Sequence, residues 1–372
     1  MMTNRFLRRC VRWFATVPAL GILRTFMALL LLGSIFLAAV PASAQSKKVD
    51  STVADIALSQ APDRLQKLIE GAKKEGVLNY YAAQPAKDLT LLVDAFVKRY
   101  GIKVNAWRSS SENIVSRITT EAHAKRFEFD IVQNNAPAME PLRREKLLQQ
   151  VNSPTHREMI PQAVPAHREW VGLYALIFVQ LYNTNSVKKV DLPKTYQDLL
   201  DPKWKGRLGI EAEDQPWFAY VLQELGQEKG TRLFKDIVQT NGMSLRKGHT
   251  LLANLVASGE VPLSLTAYSF TAVQLKRNGA PVDWFVIPPA IAQFTSIALA
   301  KNAPHPYAAM LFYEFMLGEG QQILSGLDYV PVSTKFESPM KDIPLKFIDP
   351  VSSLDDFDKW NQSFDEVFVK KH

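Results

Sequence analysis

Apolar positions along this chain alternate between two rhythms. Leu65, Leu68, Ile69 and Ala72 share one face of a helix that starts near Asp63, whose carboxylate can cap it, and stops at Gly76. Residues 77–81 then read as a strand, and Leu92, Ala95 and Phe96 return to helical spacing before Gly101. A strand over 102–107, a helix carrying Ile114 and Ile118 behind three serines, and a strand over 129–132 complete a β-α-β-α-β run. The pattern resumes with strands over 179–182 and 208–211 and helices over 215–225 and 250–257. A strand over 296–300 and helices over 307–317 and 319–324 follow. Such alternation predicts α/β lobes with mainly parallel sheets, ligands being taken at the carboxyl ends of the strands.

The first 44 residues stand apart. Arg5, Arg8, Arg9, Arg12 and Arg24 occur with no acidic residue, and the apolar run 26–40 is short for a membrane span. Small residues at Ala42 and Ala44 place cleavage after Ala44, by the general secretory route; an uncleaved anchor is the other reading. Residues 45–372 carry 39 Lys+Arg against 37 Asp+Glu, so the +7 formal charge of the whole chain belongs mostly to this segment. No clustered basic face for nucleic acid remains. The one cysteine, Cys10, lies within the signal, which leaves the mature chain without thiol chemistry. Its 328 residues exceed one comfortable core and predict two domains in a soluble, monomeric, periplasmic protein.

The enzyme class is disfavoured by inventory. There is no G-x-S-x-G, H-E-x-x-H, phosphate-loop or dinucleotide glycine pattern, and His123, His156, His167, His249, His305 and His372 are scattered. No cofactor and no metal site is expected. An acid/base enzyme using distant carboxylates and a sensory module remain as rival classes.

Three strings carry a family resemblance: 196–207, ending in Asp201-Pro202-Lys203-Trp204-Lys205-Gly206-Arg207; then Val256-Ala257-Ser258-Gly259-Glu260-Val261; and Asn302-Ala303-Pro304-His305-Pro306. Over about residues 75–332 the chain resembles the type 2 periplasmic binding proteins, in the branch that holds the ferric-ion-binding proteins. The resemblance implies a two-lobed fold with a two-crossing hinge near 176–181 and 287–298. Lobe 1 would comprise 45–178 and 288–372, and lobe 2 would comprise 179–287. It further implies a receptor that captures a small ligand in the interlobe cleft and delivers it to an inner-membrane ABC permease. In iron-binding members a histidine follows the first strand, an acidic residue follows the third, and two adjacent tyrosines sit in the second lobe. Here these segments offer Pro85, Asn135 and Tyr268, so bare ferric ion is not the expected ligand; a ferric or metal-chelate binder is the alternative.

Candidate contacts follow from the strand ends. Tyr81, Gln84, Arg108, Ser110, Ser111, Asn134 and Asn135 are the candidates in lobe 1, with Arg108 and the serines at a helix start suited to an organic anion. The plain reading of Ser110 or Ser111 is a helix cap. In lobe 2 the candidates are Asp214, Gln215, Trp217, His249, Thr250 and Tyr268. Asp214 and Thr250 read as N-caps, Trp217 as a stacking surface or core, and His249 as a contact or a structural residue. Glu211 and Glu213 read as attraction for a cationic group or as surface charge.

Overall fold

The computed structural model describes residues 52–337 and 343–370. The export signal and its cleavage after Ala44 lie outside the described residues. Among the described residues no helix is long and apolar enough to cross a membrane.

The first lobe opens with α1 (Val53–Leu58), α2 (Arg64–Glu75), β1 (Val77–Ala82), α3 (Ala86–Tyr100), β2 (Lys103–Arg108), α4 (Ser111–His123), β3 (Ile131–Asn135), α5 (Ala136–Arg144) and β4 (Leu148–Gln149). A long β5 (Val171–Asn183) leads into the second lobe: β6 (Leu208–Glu211), α6 (Gln215–Leu225), α7 (Gln227–Asn241), β7 (Ser244–Arg246), α8 (His249–Ser258), β8 (Leu263–Tyr268), α9 (Ser269–Arg277) and β9 (Val282–Phe285). The chain returns through β10 (Ala290–Ala300), α10 (Pro306–Leu317), α11 (Glu319–Gly326), β11 (Val330–Pro331) and β12 (Leu345–Phe347), and ends with α12 (Pro350–Asp355) and α13 (Phe357–Phe364).

Local chemistry explains most boundaries. Gly76 and Gly101 close α2 and α3 in the left-handed conformation, each returning its N–H to a carbonyl of the last turn. Leu68 and Ala72 are buried on α2, whereas Leu65, expected on the same face, is 55% exposed. Asp63 holds the N-cap position of α2 without capping it; its carboxylate pairs with Lys67 at 3.0 Å.

The site-bearing strands are parallel: β1 with β2 and β3, and β6 with β7 and β8. The strands that connect the lobes are not. β10 runs antiparallel to β3 and β5, and β5 runs antiparallel to β8 and β9, so the mainly parallel sheets that were expected become mixed at the strands that connect the lobes. The reason is connectivity, since a chain that leaves one lobe on β5 and returns on the neighbouring β10 reverses direction. Val171 to Ile177 pair with β10, and from Phe178 onward β5 pairs in the other sheet. All thirteen residues of β5 and all eleven of β10 are buried.

The C-terminal segment, expected wholly in lobe 1, divides between the lobes. β12 pairs with β10, and Arg144 of α5 reaches Asp355 of α12 at 2.5 Å. Beyond it Trp360, Phe364, Val367 and Phe368 join the core of the second lobe with Phe218 and Phe234. The rings of Phe218 and Phe368 lie 5.1 Å apart. To the two expected crossings the structure therefore adds a third. Aromatic burial at helical spacing is what draws α13 across.

The strings that carry the resemblance are structural. Trp204 is buried in the second core, Asn183 donates to the carbonyls of Val256 and Ala257, and His305 pairs with the fully buried Asp130 at 2.9 Å.

Candidate functional site

Parallel pairing sets the site. Ala82 lies opposite both Arg108 and Gln133, so the segments after β1, β2 and β3 converge on one edge of the first sheet. Ser111, Asn134 and Asn135 meet there. Asn134 Nδ2 donates to the Ser111 carbonyl at 3.0 Å, and Asn135 Nδ2 donates to Ser111 Oγ at 3.1 Å. Asn135 also caps α5 through Ala138 N at 2.9 Å, and Ser110 caps α4 through Asn113 N at 3.4 Å. Arg108 is exposed and its Nε donates to the Gln84 carbonyl at 3.3 Å. The Gln84 side chain is buried and, among the described residues, neither of its amide atoms has a hydrogen-bond partner.

Tyr81 is directed elsewhere. Its hydroxyl donates to Glu121 at 2.9 Å, and the Arg117 guanidinium lies over the Tyr81 and Trp107 rings at 4.5 and 4.3 Å. Burial, then the Glu121 carboxylate, push the Tyr81 phenol far up. This cluster braces α4 against β1 and β2.

In the second lobe β6 and β7 place Glu211 opposite Arg246. The third residue past each, Asp214 and His249, then stand side by side, with Asp214 Oδ1 at 3.2 Å from His249 Nε2. Glu211 is 2% exposed and accepts from Gly248 N at 2.7 Å and Glu213 N at 2.6 Å. Gly248 makes this turn at φ 105°, a conformation a side chain would strain. It also takes the N-cap position of α8, so Thr250, expected there, falls inside the helix and is exposed. Burial first, then repulsion from Asp214, push the Glu211 carboxyl up to about 7. For His249 burial acts downward, but Asp214 and Glu211 outweigh it and the imidazole is raised.

Tyr268, at the end of β8, covers His249 with ring centroids 3.9 Å apart, and accepts from Gln293 Nε2 at 3.4 Å. Its phenol is raised by burial, then by Asp214 and Glu211. Trp217 belongs to the core: it is 1% exposed and packs edge-on to Tyr196 and Phe234. Gln215 turns to the C-terminal segment, its Nε2 donating to Asn361 Oδ1 at 3.3 Å.

The two lobes touch across this region. Gln274 of α9 donates to the Leu327 carbonyl at 2.8 Å and to Asp88 at 3.5 Å, and Tyr329 donates to Asp88 at 2.6 Å. Glu112, at the start of α4, faces Glu213, and burial followed by that carboxylate raise the Glu112 carboxyl. Gln274, Gln293, Asp88 and Tyr329 were not expected from the sequence. Each sits outside the turns that follow the parallel strands, so strand-end reasoning could not reach them.

Two α/β lobes with facing strand ends, joined by β5 and β10, match the architecture that the resemblance implies. The sequence profile of the bacterial extracellular solute-binding proteins matches residues 128–350. The chain belongs to this family. Among relatives of this solute-binding protein is the Fe(3+)-binding periplasmic protein of Serratia marcescens, 26% identical over 312 residues, 80% of this chain and 91% of that one. AfuA from Actinobacillus pleuropneumoniae, solved with fructose-6-phosphate bound, superposes with a TM-score of 0.71 at 20% identity, covering 80% of this chain and 100% of that one. Iron-bound HitA from Pseudomonas aeruginosa gives a TM-score of 0.68 at 23% identity, covering 77% and 99%. These solved structures share the type 2 periplasmic-binding fold of this solute-binding protein.

Proposed function

We propose that this chain is a periplasmic receptor that closes its two lobes on one small solute and presents it to an inner-membrane ABC permease, without transforming it. The observation that supports this most is the opposition of the two lobes at their strand ends: Glu112, at the start of the helix after β2, faces Glu213, in the turn after β6, and beside them Asp88 of α3 accepts from Gln274 of α9. A cleft of this kind encloses its ligand by rotation of the lobes. The relative from Serratia carries a periplasmic, ligand-binding name, which supports the same compartment.

Charge selects the kind of solute. The sequence leans to an organic anion because of Arg108. The folded cleft sets Glu112, Glu211, Glu213 and Asp214, the first two with raised carboxyls, against Arg108, a Lys247 already paired with Glu213 at 2.5 Å and the raised imidazole of His249 beside Asp214, which leaves the carboxylates in excess. Like charges cost energy when water is excluded. The balance therefore favours a solute that presents a cationic centre to the second lobe, alone or within a chelate.

A thermal-shift screen of the chain from Gln45 onward tests the reading, using polyamines, amino-alkyl phosphonates, metal chelates and simple organic acids. A bound solute at about 100 times its Kd adds about 2.7 kcal/mol of stability. Stabilisation by cation-bearing compounds, with the compound recovered intact, is expected. Stabilisation by simple organic acids alone would reject the charge argument, and conversion of the solute would reject the receptor.

A further inference from the structure

Glu211, Asp214 and His249 each offer one ligand atom, and the three atoms lie within 4.8 Å of one another. They come from the end of β6 and the residues that follow β6 and β7 in one lobe, so the grouping does not depend on closure. Asp214 occupies the N-cap position of α6, where a carboxylate ordinarily accepts from the free amides of the first turn, yet it makes no such bond. Its Oδ1 turns to His249 instead, and among the described residues its Oδ2 has no hydrogen-bond partner although the residue is 3% exposed. His249 Nδ1 is likewise buried and, among the described residues, without a hydrogen-bond partner. An orphaned buried carboxylate oxygen is costly, and a helix that offers it amides makes the orphan harder to explain as plain structure.

Two carboxylates and an imidazole, with no thiolate, form the oxygen and nitrogen donor set of a first-row divalent cation. We propose that Glu211, Asp214 and His249 are a binding site on the second lobe for one such cation, with zinc and manganese as its types. Tetrahedral ligands at about 2.0–2.2 Å from zinc stand roughly 3.4 Å from one another, so the three side chains draw in when the ion enters. Three protein ligands leave coordination positions for donor atoms of a solute. None of the three lies at Pro85, Asn135 or Tyr268, the positions to which the ferric-protein resemblance points. The inference rests on the cleft reading above, because the metal supplies the cationic centre that the cleft's charge requires.

The test is calorimetric titration of ZnCl2, and separately MnCl2, into the chain from Gln45, treated with EDTA and dialysed free of it. One saturable site per chain is expected, weakened about tenfold or more in Asp214→Asn and in His249→Gln. The exposed Glu228→Gln, in the first turn of α7, should keep the affinity within about threefold. Should either site variant fail to fold, the visible spectrum of CoCl2 added to the unsubstituted chain decides: d–d bands distinct from the hexaaqua ion support the site, and an unchanged aqua spectrum overturns it. Absence of saturable binding for both metals, or equal affinity in Asp214→Asn and His249→Gln, also overturns it. A polyamine that stabilises a chain to which neither metal binds leaves the receptor standing and removes the metal site. Metal binding without any stabilising solute does the reverse.

Discussion

Phe270 of the second lobe stacks on Tyr329 of the first, with ring centroids 4.1 Å apart and planes inclined by 21°. Phe270 lies in the first turn of α9, the helix whose Gln274 also reaches the Leu327 carbonyl. One face of a short helix thus carries an apolar and a polar contact to the opposite lobe.

Phe270→Ala should loosen this closure. Removing a buried ring at the contact is expected to cost about 3 kcal/mol, less where solvent can fill the gap, and to increase the radius of gyration of the ligand-free protein. Small-angle scattering checks it. An unchanged radius with a lowered melting temperature would assign the pair to local packing alone.

Trp217→Ala separates core from contact. With the indole 1% exposed between Tyr196 and Phe234, a loss of about 3–5 kcal/mol in denaturant unfolding is expected. Solute affinity of the folded fraction should be kept. A stable variant with lost affinity would return Trp217 to the cleft.

His156 gives a pH dependence. Burial holds its imidazole down at about 4, against the ordinary 6.5, while its Nε2 lies 2.9 Å from the Tyr313 hydroxyl. Between these values the unfolded chain binds more protons than the folded one. The contribution is therefore complete above about pH 6.5 and lost as pH falls towards 4, and amounts to about 2 kcal/mol after allowance for partial exposure. Melting curves at pH 7 and pH 4.5 should converge for wild type and His156→Gln as pH falls. A gap independent of pH would contradict it.

Ending the chain after Asp356 removes Trp360, Phe364 and Phe368 from the second core. The second lobe should then melt first, giving two calorimetric transitions in place of one. A single transition at the original temperature would show that α13 contributes nothing to that core.

The parts of the fold that were legible in the sequence are those fixed by local chemistry. Leu208–Glu211 and Gln215–Leu225 appear where strand composition and Pro216 place them, although Asp214 holds the N-cap position without capping, and Gly76 and Gly101 end the helices they were expected to end. Other features depend on contacts remote in sequence. Nothing near Tyr81 announces that Glu121 will accept from its hydroxyl and Arg117 lie over its ring, and the aromatic spacing of α13 gives a buried face without saying which lobe buries it. Asp214 and His249 were each visible as the polar start of a helix. Their adjacency follows from the parallel register of β6 and β7, which only the sheet reveals.

The third crossing has a mechanical meaning. Between Phe347, where β12 ends, and Phe357, where α13 begins, the only regular structure is the six-residue α12, tied to the first lobe through Asp355. As a helix those six residues span about 9 Å, and drawn straight they span about 20 Å. That difference is slack. Wide separation of the lobes would have to release Asp349 N from the Tyr220 hydroxyl of α6 and then unwind α12 or pull Trp360 and Phe364 out of their aromatic bed, so the amide exchange of the short C-terminal helix should record how far the molecule opens.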